Sequence, residues 1–318
     1  LPKVSNVPAT EINFIDMPNA VQSEIRVQNT IDLKMADDDY FPVMVTNQIL
    51  GGSFGSYLNM NLREAKGYTY GAGSSTGSDK YASRFLASTS VRNAVTDSAV
   101  VEIMKEIRRI KSEPVDATML ENAKAKFAGD FVLRLERPAT IANYALNIKT
   151  NDLPENFYET YLQRINAVTP TDIQNVANKY YQTGNMRIVI AGKGAEVLEN
   201  LEKIKLDGKS IPIKYYNNNG VMVDKPNYNQ AVDPSVTVET VFNKYIEAIG
   251  GKAAVDKVNS VFMIADAEIQ GQKLKLETKT TTSGKFSQIV SMGGMTVSKQ
   301  IFDGTKGSAT MQGQKVEL

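Results

Sequence analysis

Arg63 and Tyr70 stand seven residues apart with Gly67 between them, inside the stretch from Gly51 to Ser75, GGSFGSYLNMNLREAKGYTYGAGSS. Arginine offers a rigid fork of donors suited to carboxylate or carbonyl oxygens. A tyrosine hydroxyl can donate to a carbonyl oxygen as that oxygen gains negative charge, the oxyanion-hole role. A helix from Leu58 to Glu64 and a strand beginning at Tyr70 would project both side chains from the same end of a sheet. Tyr68 competes with Tyr70, because residues two apart share one face of a strand. On spacing alone a structural role stays open, with Arg63 paired to Glu64 or a helix end and Tyr70 a half-buried strand residue.

Other chemistry is scarce. Gly51-Gly52-Ser53-Phe54-Gly55 lacks the lysine that a phosphate-binding loop needs, so these glycines end one helix and turn the chain before the next. The chain has no histidine and no cysteine. That removes the commonest zinc ligand, the commonest general base, and all thiol and disulfide chemistry. Ser53 and Ser56 therefore have no histidine to activate them. A metal held by carboxylates alone would be calcium or magnesium, and no D-x-D-x-D-G loop is present. Asp37-Asp38-Asp39 reads as a helix N-terminus, where acidic groups offset the macrodipole and cap free N–H groups. Glu102 and Glu106, with Lys105 and Arg109, read as a solvated helix face, as does Glu121 with Lys124 and Lys126. No catalytic residue and no metal ligand are expected in this chain.

The elements that must position Arg63 and Tyr70 follow from periodicity. Two strands are expected between Ile12 and Leu33 around the turn Met17-Pro18-Asn19-Ala20, the second with Ser23, Ile25, Val27 and Asn29 on one face. Asp38 or Asp39 starts a helix with Pro42 in its first turn, ending at Gly51-Gly52. Residues 70–77 and 81–92 read as a hairpin around Ser78-Asp79-Lys80. Thr96 caps a helix with Ala99, Val100, Ile103, Ile107 and Ile110 on one stripe. Asp116 opens a longer one through Leu120, Ala123, Phe127, Phe131 and Leu135. Helical patterns resume at 139–150, 155–166 and 170–182, the last with a Thr169-Pro170-x-Asp172 start signal. Met186 to Ala191 is a short apolar run, read as a returning buried strand. The fold class expected is α+β, an antiparallel or mixed sheet with helices packed on one face.

The wording of this region resembles the second half-domain of the pitrilysin/insulinase family of zinc metallopeptidases. The resemblance spans roughly residues 1–205. It rests on Asn19-Ala20-Val21-Gln22-Ser23, on Gln48-Ile49-Leu50-Gly51-Gly52, and above all on Leu62-Arg63-Glu64-x-x-Gly67-Tyr68-x-Tyr70-Gly71. It implies that Arg63 and Tyr70, with Tyr68 in the same wall, bind a peptide backbone across a closed clamshell. The zinc of that family would sit on a partner half carrying H-x-x-E-H, which this chain lacks.

With 318 residues and 42% hydrophobic composition, the chain has room for two domains with cores. The division expected is a peptidase-type half-domain at 1–207, a linker rich in Asn, Gly and Pro at 208–235, and a second domain at 236–318. In the last, a helix carrying Val238, Val241, Phe242, Tyr245 and Ile249 precedes alternating strands at 260–269, 273–282, 285–291 and 295–302. Tyr245 to Lys252 and Phe302-Asp303-Gly304 resemble the half-barrel of periplasmic lipoprotein carriers. The start at Leu1-Pro2-Lys3 and an end within a strand are read as those of a fragment, with an incomplete half-barrel. Basic and acidic residues number 36 and 35, so no basic stripe for nucleic acid is expected. No apolar run reaches the length of a membrane-spanning helix.

Two functions remain in view. In the first, the chain is the non-catalytic, substrate-gripping half of a zinc metalloendopeptidase, inactive alone. It would close over a peptide held at a zinc site upstream or on a partner subunit. In the second, it is a peptidase-fold remnant acting as a binding or structural module, with the half-barrel taking a lipid or apolar ligand. A bacterial periplasm or cell envelope is the expected location.

Overall fold

The computed structural model describes residues 4–228, 233, 235–269, 271–311 and 313–317. Leu1-Pro2-Lys3, most of 229–234 in the expected linker, and Leu318 lie outside the described residues. The chain forms two compact units, divided between Tyr228 and Asn229.

The first unit opens with β1 (Glu11–Asp16) and β2 (Gln22–Ile31). Next come α1 (Tyr40–Asn47), a π-helical turn (Gln48–Gly52), the short α2 (Tyr57–Asn59) and a second π-helical turn (Met60–Ala65). The hairpin β3 (Ala72–Thr76) and β4 (Ser83–Arg92) follows. Five helices come after it: α3 (Thr96–Ser112), α4 (Ala117–Leu135), α5 (Pro138–Thr150), α6 (Tyr161–Ala167) and α7 (Pro170–Tyr180). The unit closes with β5 (Arg187–Gly192), α8 (Gly194–Leu201), the small pair β6 (Lys205–Leu206) and β7 (Lys209–Ser210), β8 (Ile213–Tyr216) and β9 (Met222–Val223).

Its mixed sheet runs β3-β4-β2-β5-β1-β8-β9. The two opening strands do not pair with each other. The returning β5 lies between them, antiparallel to β2 and parallel to β1. Helices pack on one face, and alternation decides which residues they cover. Along β2, Ser23, Ile25, Val27 and Asn29 are buried while Glu24 and Arg26 are exposed. The polar members of the buried row are satisfied. Ser23 donates to Asn93 and accepts from Thr96, and Asn29 donates to the Tyr180 carbonyl.

Helix starts follow the expected signals in part. Thr169 and Asp172 form a capping box, and Asp116 accepts from Thr118 and Met119 N–H groups. Thr96 does not cap α3, because its hydroxyl turns inward to Ser23 and the Asn93 carbonyl. Asp39 does not cap α1 either, since its carboxylate is taken by Lys179 and Tyr180. On the long helices Ile103, Ile107 and Leu120 are buried, but Phe127 is half-buried and Leu135 is 40% exposed.

The first unit also runs further than residue 207. β8 adds to the sheet beside β1, and β9 pairs with β8. Lys225 meets Glu202 at 2.6 Å, and the Tyr228 hydroxyl is hydrogen-bonded to Asp16. Of the residues expected as linker, β8 and β9 extend the sheet, and Lys225 and Tyr228 are tied to the first unit.

The second unit comprises α9 (Val238–Ala248), α10 (Lys252–Val255) and six antiparallel strands in sequence order. These are β10 (Ser260–Ile269), β11 (Gln272–Thr281), β12 (Phe286–Met292), β13 (Met295–Phe302), β14 (Gly307–Met311) and β15 (Gln314–Glu317). The sheet is open, with β10 and β15 at its edges. Among the described residues of this unit no side chain is fully buried.

Two outcomes test the packing. A Cβ on Gly51 would lie 2.8 Å from the Gly73 carbonyl carbon and closer still to Ser74 N, and backbone there cannot swing aside. Gly51→Ala should lower stability by about 1–3 kcal/mol in denaturant unfolding; an unchanged midpoint would refute this close approach. Glu11, 6% exposed, meets Lys214 at 2.7 Å and Asn13 at 3.1 Å. Burial works against its carboxylate, but Lys214, Asn13 and Arg187 outweigh it and hold its pKa below the usual 4.5. A depressed folded pKa gives stability present above about pH 4.5 and lost as pH falls through the folded value. Glu11→Gln should flatten that acid slope, measured as stability against pH.

Candidate functional site

The segment bearing Arg63 is a helix with a widened turn. Lys66 N–H reaches the Asn61 carbonyl at 2.9 Å, five residues back, and Tyr68 N–H reaches the Leu62 carbonyl at 2.9 Å. Such π-type turns are rare and concentrate at functional sites. Gly67, at φ +61°, ends the helix in the left-handed region where a Cβ is penalised. The chain then turns outward rather than entering a strand directly, since β3 begins only at Ala72.

This local geometry separates the two tyrosines. Tyr68 is half-buried and packs against the core, whereas Tyr70 is 90% exposed. The expectation that they share one strand face is not met, because neither lies in a strand. Residues beside Tyr70 are nonetheless fixed. The Gly71 carbonyl accepts from Thr69 and Thr89, and Ala72 N–H reaches Asn59 Oδ1 at 3.4 Å. Tyr70 thus projects from a tethered stretch of backbone.

Arg63 lies on the π-helical turn with its side chain 40% exposed. Its Nε sits 3.3 Å from Glu64 Oε1, and its guanidinium lies 4.8 Å from the Phe54 ring centroid. The pairing with Glu64 weighed from sequence does form, but an exposed ion pair contributes little. The terminal guanidinium nitrogens, like the Tyr70 hydroxyl, have no hydrogen-bond partner among the described residues. Phe54, 62% exposed, was missed in the sequence as a neighbour of Arg63.

Beneath this segment lies a polar cluster that periodicity alone misassigned. Glu106 is not on a solvated helix face: it is 4% exposed, inside the stripe formed by Ile103, Ile107 and Ile110. Its position three after Ile103 and four before Ile110 was the available signal. Asn61 Nδ2 donates to Glu106 Oε1 at 2.6 Å and to Glu102 Oε2 at 2.8 Å. Lys66 and Lys105 each lie 3.6 Å from Glu102, and Arg109 lies 3.4 Å from Glu106. Arg109 also covers the Tyr57 ring at 4.2 Å. Burial works against the Glu102 carboxylate, but Asn61, Lys105 and Lys66 more than offset it and hold its pKa low. Burial likewise pushes the Tyr57 hydroxyl up, with Arg109 opposing. On α4, Lys124 pairs with Glu121 as expected, while Lys126 turns to Asp130 instead.

The donor set does not fit zinc. The chain has neither histidine nor cysteine, and among the described residues no three acidic groups are placed to hold a metal.

Part of the first unit is similar to known proteins. Residues 17–127 match the sequence profile of the peptidase M16 inactive domain. The resemblance to the pitrilysin/insulinase peptidases is met over that stretch, in its inactive-domain form. Similar solved structures include a peptidase M16 inactive domain from Pseudomonas fluorescens, 24% identical with a TM-score of 0.55, over 60% of this chain and 46% of that one. A protease from Helicobacter pylori is 18% identical with a TM-score of 0.53, over 60% and 45%. A conserved protein from Enterococcus faecalis is 23% identical with a TM-score of 0.51, over 60% and 43%. At these identities the structures show the fold. The match covers less than half the length of each of these chains. No curated protein matches the sequence. The carrier-like resemblance of 236–318 stays an expectation.

Purified chain should retain no stoichiometric zinc after exhaustive dialysis and show no chelator-sensitive peptide cleavage. Tight zinc or such cleavage from the chain alone would overturn this account of the donor set.

Proposed function

We propose that the first unit is the non-catalytic, substrate-gripping half of a zinc metalloendopeptidase. It closes over a peptide held at a zinc site on an upstream domain or a partner subunit. The observation that carries this reading is the pair of exposed tips flanking the Gly67 turn, Arg63 and Tyr70, each with spare hydrogen-bonding capacity. The match of that segment to an inactive domain of a peptidase family supports it further.

In this role Arg63 holds a carbonyl or carboxylate oxygen of the peptide with its unpaired N–H groups. Tyr70 donates its hydroxyl to a carbonyl oxygen as that oxygen becomes negative. Tyr68, wedged against the core, shapes the wall behind them. The metal, on the other half, supplies the activated water. This half supplies orientation and excludes solvent. A bacterial periplasm or envelope is the setting we propose.

A second reading has its own observation. In the second unit, cross-strand partners place Met263, Thr278 and Gln288 on one face, together with Ala265, Leu276 and Val290. Val261 and Met263 on that face are 53% and 48% exposed. Such an open apolar surface suits a lipid or other apolar ligand.

Arg63→Ala should leave folding nearly intact, because the side chain is exposed. In the assembled peptidase it should lower kcat/KM by about tenfold to a thousandfold. Tyr70→Phe should lower kcat more than it raises KM. Normal activity from the double variant would sink the gripping role.

A further inference from the structure

We propose that Asn61 and the buried Glu106 are positioning residues for Arg63, a clamp that fixes the direction in which its guanidinium points. This deepens the gripping role proposed above and rests on it. The segment 57–66 is tied to α3 at three places: Tyr57 under Arg109, Asn61 between Glu106 and Glu102, and Lys66 near Glu102. Arg63 lies between the second and third ties, with its guanidinium over the Phe54 ring.

Packing alone gives no reason for a carboxylate at position 106. Its stripe is otherwise aliphatic, and a buried charge is costly unless it is paired and hydrogen-bonded. The charge is tolerated because Asn61 and Arg109 both partner it, and removing one member of such a buried cluster is ordinarily destabilising. What a carboxylate supplies, and a leucine does not, is a directional acceptor for the Asn61 amide. Asn61 is also the residue whose carbonyl accepts the i+5 bond from Lys66. The side chain of Asn61 thus anchors the residue that sets the widened turn. If the turn tightened to ordinary α-helix, a one-residue register change would swing Arg63 by about 100°. The direction of Arg63 therefore depends on the amide–carboxylate contact as well as on the helix itself.

The deciding variant is Glu106→Leu, with Asn61→Ala and Glu106→Gln beside it. Amide exchange of Lys66, Gly67 and Tyr68 is read in the purified chain, with thermal unfolding as the global control. Cleavage of a mixed quenched-fluorescent peptide pool is read in the natural assembly isolated through this chain. Glu106→Leu should lower the melting temperature modestly, yet speed exchange at those amides about tenfold more than at other amides of the first unit, and lower kcat/KM about tenfold. Glu106→Gln, which keeps an acceptor, should restore most of both. Asn61→Ala should lower kcat/KM in the parent chain and add less than about twofold to the loss in an Arg63→Ala background. Equal losses in both backgrounds would reduce the clamp to a structural role, and unchanged exchange in Glu106→Leu would overturn it. If Arg63→Ala itself leaves cleavage intact, the gripping role fails, while the exchange data still decide whether the clamp exists.

Discussion

The insertion of β5 between β1 and β2 is the constraint on which the first unit depends. Ile188 and Ile190 fill the centre of the buried sheet face, beside Ile25 and Val27 on one side and Ile12 and Phe14 on the other. Without β5 the opening strands have no common partner, and the helices that precede it in the chain would cover a broken surface. The pairing joins residues far apart in sequence, so the local elements are held in place only when the last central strand arrives. The glycine-rich segment inherits its position from this sheet through β3, where Gly51 lies against Gly73 and Ser74.

From that base the chain builds a rigid mount for an exposed pair. The π-helical turn, the left-handed Gly67 and the tethered residues 69–72 hold Arg63 and Tyr70 outward while Tyr68 and Leu62 face inward. Tethering the backbone while leaving the side-chain tips free reduces the ordering cost of binding. The same mount explains how an exposed arginine and tyrosine can be matters of function while contributing little to stability.

Strand and helix periods were readable in the sequence because burial on one face leaves a regular trace. β2, β10 and β13 fell where alternation placed them, and α7 began at its Thr169 signal. What periodicity could not carry was partner choice. Strand pairing across β5 depends on topology, so the sequence placed β1, β2 and β5 in one sheet without giving their order. Asp39 and Thr96 satisfied the local rules for caps but found stronger partners in Lys179 and Ser23. Glu106 looked solvated because its charged neighbours masked an aliphatic stripe, and its true partner, Asn61, comes from a different element. For the Arg63–Tyr70 pair, the motif wording carried more than the spacing did, since Tyr70 precedes the strand expected to hold it.

The open sheet of the second unit has a thermodynamic consequence. With no fully buried side chain among its described residues, it removes little apolar surface from water to set against the entropy of ordering six strands. Its folded population is then governed by mass action. Anything that binds only the ordered sheet raises its apparent stability by RT ln(1 + [L]/Kd), about 2.7 kcal/mol when the ligand stands at a hundred times its Kd. Melting of this unit would then be a concentration-dependent readout of occupancy.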